Sequence, residues 1–195
     1  MKFKIYVKNK DEKKELIGAS DTFENAEKVL FEYANNHDLS EEGMKVEEIA
    51  ETHKKYYFEN CKKVFLIIKH IEVVAAIIIR DGKVFSTQRG YGEFKDGWEF
   101  PGGKMEVGET MQQALERELR EELAIKVKAT DLIKTVEYEY PKFQLTMHCI
   151  KTEILEGEPN LLEHEAAVWV DKEHIDDVAW LPADLEVVED IKKML

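Results

Sequence analysis

Between Gly103 and Ile125 the chain reads GKMEVGETMQQALERELREELAI, a glycine turn that runs into a helix with its acids on one face. Residues three and four apart are neighbours on a helix, so Glu118, Glu121 and Glu122 stand side by side. Like charges packed this way repel and weaken the helix unless something cationic compensates. Arg117 and Arg120 offset part of that repulsion. A hard divalent cation, Mg²⁺ or Mn²⁺, can offset the rest, because such ions take carboxylate, carbonyl and water oxygens. Taken alone, ERELREEL also fits a solvated amphipathic helix laced with i,i+4 charge pairs. The full 23-residue pattern favours the first reading.

That pattern is Gly103, five residues, Glu109, seven residues, Arg117-Glu118-Leu119, one residue, Glu121-Glu122, one residue, Ala124-Ile125. It resembles the Nudix box of the Nudix hydrolases. One position departs, because the family has a glycine where this chain has Ala124. That glycine would sit just past the helix end, where a left-handed residue is usual. Alanine there costs on the order of 1 kcal/mol. The departure touches helix termination and leaves the acids intact.

The chain has 195 residues, room for one standard domain and a smaller one. Its formal net charge of −13 argues against a partner bound through a nucleic-acid backbone, which needs a basic face. Nucleotide substrates stay compatible, since a metal bridges acidic protein and anionic ligand. Cys61 and Cys149 make neither a disulfide framework nor a zinc spacing, and fit reduced thiols in a cytosol. No basic-then-apolar leader pattern opens the chain, and apolar runs such as Val64–Ile68 and Val73–Ile79 are far short of a membrane span. A soluble cytoplasmic protein without a membrane partner is expected.

Residues 1–70 read as a small α+β domain of unassigned role, a candidate for self-association. Lys2–Val7 alternates as a strand does, Asn9-Lys10-Asp11 suits a turn, and Glu15–Ala19 suits a second strand. Ser20 or Asp21 suits the cap of a helix whose apolar face carries Ala26, Val29, Leu30, Tyr33 and Ala34. Lys45–Ala50, Lys55–Phe58 and Lys63–Ile68 suit further strands. In residues 71–195, Val73–Ile79 reads as a strand buried on both faces, Asp81-Gly82 as a hairpin turn and Lys83–Gln88 as the returning strand. The box helix is predicted over Thr110–Leu123, strands over Lys126–Tyr140, Phe143–Glu153 and Ala166–Val170, and a closing helix over Asp184–Met194. This order fits an α/β fold, a mixed sheet with helices on both faces. It matches the Nudix α/β/α sandwich that the resemblance implies for residues 71–195.

The resemblance also implies chemistry. Nudix enzymes cleave a nucleoside diphosphate linked to another group, by attack of water on phosphorus with metals on the polyphosphate. Carried over to this chain, Glu118 and Glu122 are the main metal ligands, Glu121 a further one, and the Gly102 carbonyl completes the inner shell. Arg117 orients carboxylates, Glu109 first among them. Glu163 falls where MutT-type members place an extra acid, as general base or ligand; an ordinary loop acid fits equally. His164 alone reads as a surface residue.

Trp98-Glu99-Phe100-Pro101-Gly102-Gly103-Lys104, Glu137–Pro141, Glu156–Pro159, Trp169 and Leu181-Pro182-Ala183-Asp184 follow at spacings similar to those of MutT-like enzymes. These hydrolyse nucleoside triphosphates to the monophosphate and pyrophosphate. The implied substrate contacts are Lys104, Arg89 at a purine edge, Phe100 lining a base pocket, and Ile71, Val73 and Leu145 as apolar pocket positions. Asp184 matches a pocket position that is asparagine in 8-oxoguanine-preferring members and aspartate in pyrimidine-preferring ones. It also suits a helix N-cap. Sanitation of the nucleotide pool by cleavage of 8-oxo-dGTP leads. CTP or modified-dCTP hydrolysis, nucleotide-sugar hydrolysis and a non-catalytic Nudix sensor are the alternatives.

Overall fold

The computed structural model describes residues 2–9 and 13–195, which fall into two compact units. The first unit extends to Ile71 and includes Glu139–Leu145; the second comprises Glu72–Tyr138 and Thr146–Leu195. Of the turn expected at Asn9-Lys10-Asp11, Lys10 and Asp11 lie outside the described residues.

In the first unit β1 (Lys2–Lys8) pairs antiparallel with β2 (Glu15–Ser20). Helix α1 (Phe23–Asn35) follows, then the antiparallel pair β3 (Lys45–Ala50) and β4 (His53–Tyr57). The first part of β5 (Val64–Arg80) lies between β1 and β4, antiparallel to both. Alternate residues Ile5, Val7, Phe65 and Ile67 face Ala26, Leu30 and Ala34 of α1 in one buried cluster with Tyr56 and Phe58. The cap of α1 is Thr22, whose hydroxyl accepts from Asn25 N at 3.2 Å, and not Ser20 or Asp21. Thr22 wins because only a residue immediately before the helix can reach the free N–H groups of its first turn.

In the second unit β5 continues without interruption, and this corrects the expectation of two separate strands over Lys63–Ile68 and Val73–Ile79. The polar stretch Lys69-His70-Ile71-Glu72 looks like a break, yet strand pairing reaches it from both ends, His70 lying opposite Lys2 and Val73 opposite Lys104. A hairpin through Asp81-Gly82 leads to β6 (Lys83–Gln88), which pairs along its length with β11 (Ala166–Asp171) and at Thr87 and Gln88 with β7 (Trp98–Glu99). The short strand β8 (Gly102–Lys104) pairs with Val73–Ala75. Helix α2 (Met111–Leu123) and the mutually paired β9 (Lys126–Glu139) and β10 (Phe143–Glu156) follow, and α3 (Pro182–Lys192) closes the chain.

Helix α2 lays Ala114, Leu115, Leu119 and Leu123 on Val74, Ala76 and Ile78 of β5, with Ile125, Val127 and Ile150 completing the cluster. Each leucine so buried stabilises the fold by roughly 2 kcal/mol. Ala75 and Ile77 alternate to the opposite face and are equally buried, so this part of β5 is covered on both sides. Among the described residues no helix is long and apolar enough to cross a membrane.

Candidate active site

Thr110 caps α2. Its hydroxyl accepts from Gln113 N while the Gln113 side chain accepts from Thr110 N, a reciprocal capping box. The helix ends on Ala124, whose φ of 55° is left-handed, the conformation that favours glycine. Between these ends the helix carries the box acids, Glu121 exposed and Glu118 and Glu122 partly buried.

Arg117 organises them. Its Nε donates to Glu109 Oε1 at 2.7 Å and its Nη2 to Glu109 Oε2 at 2.9 Å, a two-pronged pair. Nη1 reaches Glu118 at 2.8 Å and Glu121 at 3.3 Å, and Nη2 also donates to the Lys104 carbonyl at 3.0 Å. Hydrogen bonds from Arg117, then from the Glu106 backbone, pull the Glu109 carboxyl down to about 2. The guanidinium is raised in return, first through Glu109 and then through Glu118.

The glycines make room for the acids. A Cβ on Gly103 would stand 2.4 Å from the Glu118 carboxyl carbon. One on Gly102 would stand 2.1 Å from the Val74 carbonyl oxygen, where backbone cannot give way. The side chain of Lys104 is exposed beside this turn.

Glu122 differs from its neighbours. Its Oε2 is buried without a hydrogen-bond partner. Burial, then the charges of Glu118, Glu99 and Glu163, push its carboxyl up to about 7 against the opposing pull of His164. Among the described residues no three His, Cys, Asp or Glu side chains are gathered into a ready metal cage, and Arg117 holds Glu118 and Glu121. The donor set nonetheless fits a hard dication: all oxygen, clustered acids, and one buried carboxylate oxygen that nothing in the protein satisfies.

Two regions distant in sequence meet α2. Asn160 N donates to the Leu123 carbonyl and Leu162 N to the Glu122 carbonyl, both at 2.9 Å, so the loop serves the open carbonyls of the helix end. Glu163 is carried on this loop and accepts from the Tyr91 hydroxyl at 3.2 Å. The next residue corrects an expectation. His164 is no surface residue, since its side chain is only 7% exposed and its Nε2 lies 3.6 Å from Glu99 Oε1. Glu165 N donates to the Gln88 carbonyl and thereby turns the His164 ring inward.

Arg89 is tied to the same carboxylate. Its Nε donates to Glu99 Oε1 at 2.9 Å and its Nη2 to Oε2. Burial alone would push Glu99 up, but His164 and Arg89 hold its carboxyl below the usual range. Burial likewise opposes the charge of Arg89, yet Glu99 keeps the guanidinium raised. Phe100, 3% exposed, stacks on Trp180 with centroids 4.5 Å apart, and its backbone N donates to Asp184 Oδ1 at 2.9 Å. Asp184 is therefore no N-cap. Leu181 and Pro182 begin α3, the proline's fixed φ suiting the first turn, and Asp184 points from that turn into the interior. Burial pushes its carboxyl up to about 8 despite the Phe100 hydrogen bond.

The structure thus brings Glu109, Arg117, Glu118 and Glu121 into one network. It brings Arg89 and Glu99 into contact, and Phe100 and Asp184 into another. Val73 is half-buried on β5, opposite Lys104. Ile71, half-buried, and Leu145, buried, belong to the first unit. Glu99, Tyr91 and Trp180 carry no assignment from the sequence. Glu99 had a signal, since it stands inside the Trp98–Lys104 motif; Tyr91 and Trp180 had none beyond their aromaticity.

A NUDIX domain profile matches residues 69–193, well over half of the chain. The protein belongs to the Nudix family. It is 39% identical over 123 residues to the CTP pyrophosphohydrolase of Escherichia coli K12, covering 63% of this chain and 91% of that protein. It is 37% identical over 123 residues to the 8-oxo-dGTP diphosphatase of Haemophilus influenzae, covering 62% and 90%. The solution structure of the E. coli ORF135 protein superposes with a TM-score of 0.58 at 37% identity, covering 65% of this chain and 91% of that one. The chain is thus a Nudix hydrolase, of a family whose enzymes use divalent metal on small nucleotide substrates.

Proposed function

We propose that this Nudix hydrolase cleaves nucleoside triphosphates to the monophosphate and pyrophosphate, with 8-oxo-dGTP as substrate and pool sanitation as the outcome. The observation that carries the reading is Glu122 Oε2, buried and unpartnered beside a Glu118 carboxylate for which Gly103 leaves room. Glu118 and Glu122, with Glu121 and the Gly102 carbonyl, would hold Mg²⁺ or Mn²⁺. A bound dication neutralises polyphosphate charge and lowers the pKa of water. Arg117 keeps the acids apart and aimed, and Glu163, on its tethered loop, is the base for the attacking water. Lys104 meets phosphate. Arg89 and Asp184 read the base, Phe100 lines its pocket, and Val73 is an apolar contact.

CTP-type hydrolysis is the second reading, supported by the 39% identity to the CTP pyrophosphohydrolase, and Asp184 can serve either base according to its protonation. An ionised carboxylate only accepts, which suits the exocyclic amine of cytosine. A protonated one, which burial promotes, can also donate to a purine carbonyl. In either case residues 71–195 are the hydrolase, and residues 1–70 an accessory domain through which copies self-associate. The reading calls for a reducing cytoplasm and for no nucleic-acid or membrane partner.

The test is pyrophosphate release with Mg²⁺ and with Mn²⁺ against 8-oxo-dGTP, dGTP, CTP, methylated dCTP and ADP-ribose. A strong preference for 8-oxo-dGTP bears out the first reading, one for CTP or methylated dCTP the second. Silence on every triphosphate overturns both.

A further inference from the structure

His164 is a buried group that the chemistry above does not use. Its Nδ1 is enclosed without a partner, although buried polar atoms are nearly always hydrogen-bonded and an orphaned one calls for a reason. Its backbone is pinned on both sides, by Leu162 N on the Glu122 carbonyl and by Glu165 N on the Gln88 carbonyl. The ring is therefore held against Glu99.

Glu99 Oε1 is shared. Arg89 Nε donates to it at 2.9 Å, and His164 Nε2 faces it at 3.6 Å. A planar fork on a carboxylate fixes a guanidinium only as firmly as the carboxylate itself is fixed. Glu99 is 12% exposed at its side chain, and Arg89 and His164 are its two cationic or N–H neighbours in the ion-pair contacts described. The Nε2 edge of the ring is turned to Glu99, and Nδ1 is left enclosed on the other side.

We infer that His164 is a positioning residue, fixing the Glu99 carboxylate that grips Arg89 and so setting how Arg89 is presented to the nucleobase. The inference rests on the nucleotide-hydrolysis reading and assigns part of its base selectivity to a residue two contacts away from the base.

The experiment compares His164→Gln, His164→Leu, Glu99→Gln and the double variant His164→Leu/Glu99→Gln, all as full-length protein. Steady-state kinetics use whichever triphosphate the wild type prefers. The Arg89 Nε–H resonance is followed by NMR in the nucleotide-free protein and assigned with Arg89→Lys. For His164→Leu, KM rises roughly five- to tenfold with kcat within about twofold, and the double variant is no worse than Glu99→Gln, the sign of residues acting as one unit. His164→Gln, which keeps an N–H donor near the Nε2 position, recovers most of the loss. The Arg89 Nε–H signal broadens in His164→Leu and persists in His164→Gln. Penalties that multiply in the double variant, or an unchanged Arg89 resonance in His164→Leu, overturn the inference. If the wild type hydrolyses no triphosphate, the functional reading falls, and the resonance alone decides whether His164 fixes Arg89.

Discussion

The backbone N–H of Leu162 donates to the carbonyl of Glu122 at 2.9 Å, so the loop bearing Glu163 and His164 hangs from the end of the helix bearing the box acids. Together with Asn160 N on the Leu123 carbonyl, this hydrogen bond ties one group of site residues to the other. Replacing Leu162 by proline removes the donor while sacrificing an exposed side chain. Stability should fall by only about 1 kcal/mol, while kcat drops at least tenfold because the loop loses its register. Thermal melts beside turnover check this, and full turnover in Leu162→Pro would show that the tether is dispensable.

The buried Glu122 carboxyl makes the metal-free protein sensitive to pH. Its folded value of about 7 lies above the ordinary 4.5, so the folded state holds the proton more tightly. Stability from this group is present below about 4.5 and is lost as pH rises to about 7, a span worth at most about 3 kcal/mol. Urea melts in EDTA should show that loss in the wild type and a smaller one in Glu122→Gln. The same variant should lose roughly a hundredfold or more in hydrolysis, since an ionised ligand is gone. Added Mg²⁺ should stabilise the wild type more at pH 8 than at pH 5, because binding requires the deprotonated acid.

Asp184 acts in the same direction over a wider window. Its folded value of about 8 against an ordinary 3.8 means that its stabilising contribution is lost as pH rises from about 4 towards 8. Asp184→Asn keeps an oxygen for Phe100 N and abolishes the titration, so its stability should exceed that of the wild type at pH 9. Asp184→Ala leaves Phe100 N buried without an acceptor and should cost about 1–3 kcal/mol at pH 5. Both variants should reorder the nucleotide panel; an unchanged ranking would remove Asp184 from base recognition.

Ala124 is the one box position that departs from the family, and it sits at a φ of 55°. Glycine adopts this conformation without the penalty that a Cβ brings. Ala124→Gly should therefore stabilise the protein by about 1 kcal/mol, or roughly 2–4 °C in Tm for a chain of this size, with turnover unchanged. A lower Tm would count against this reading of the helix end.

Gly103→Ala tests the opposite case. The new methyl would displace the Glu118 carboxylate, the far end of a flexible side chain, and leave backbone in place. Activity should fall at least tenfold while Tm moves little; a large loss of Tm would mean that the turn itself cannot take a side chain.

By itself the sequence determined what is local. The 3.6-residue period of Ala114, Leu115, Leu119 and Leu123 specified α2 and, on its other side, the adjacency of the acids. The Asp81-Gly82 hairpin and the doubly buried run in β5 were legible for the same reason, since turn chemistry and alternation act over a few residues. Tertiary structure decided what depends on partners far along the chain. Whether Lys69–Glu72 interrupts β5 was settled by pairing, His70 lying opposite Lys2 and Val73 opposite Lys104. Asp184 shares one motif with a helix cap and a buried acceptor, and the Phe100 N–H, 84 residues away, chose the second. His164 reads as an ordinary loop residue until Glu122 and Gln88 fix its backbone and turn its ring onto Glu99. Periodicity encodes which face of an element is buried; it does not encode which side chain waits on the other side.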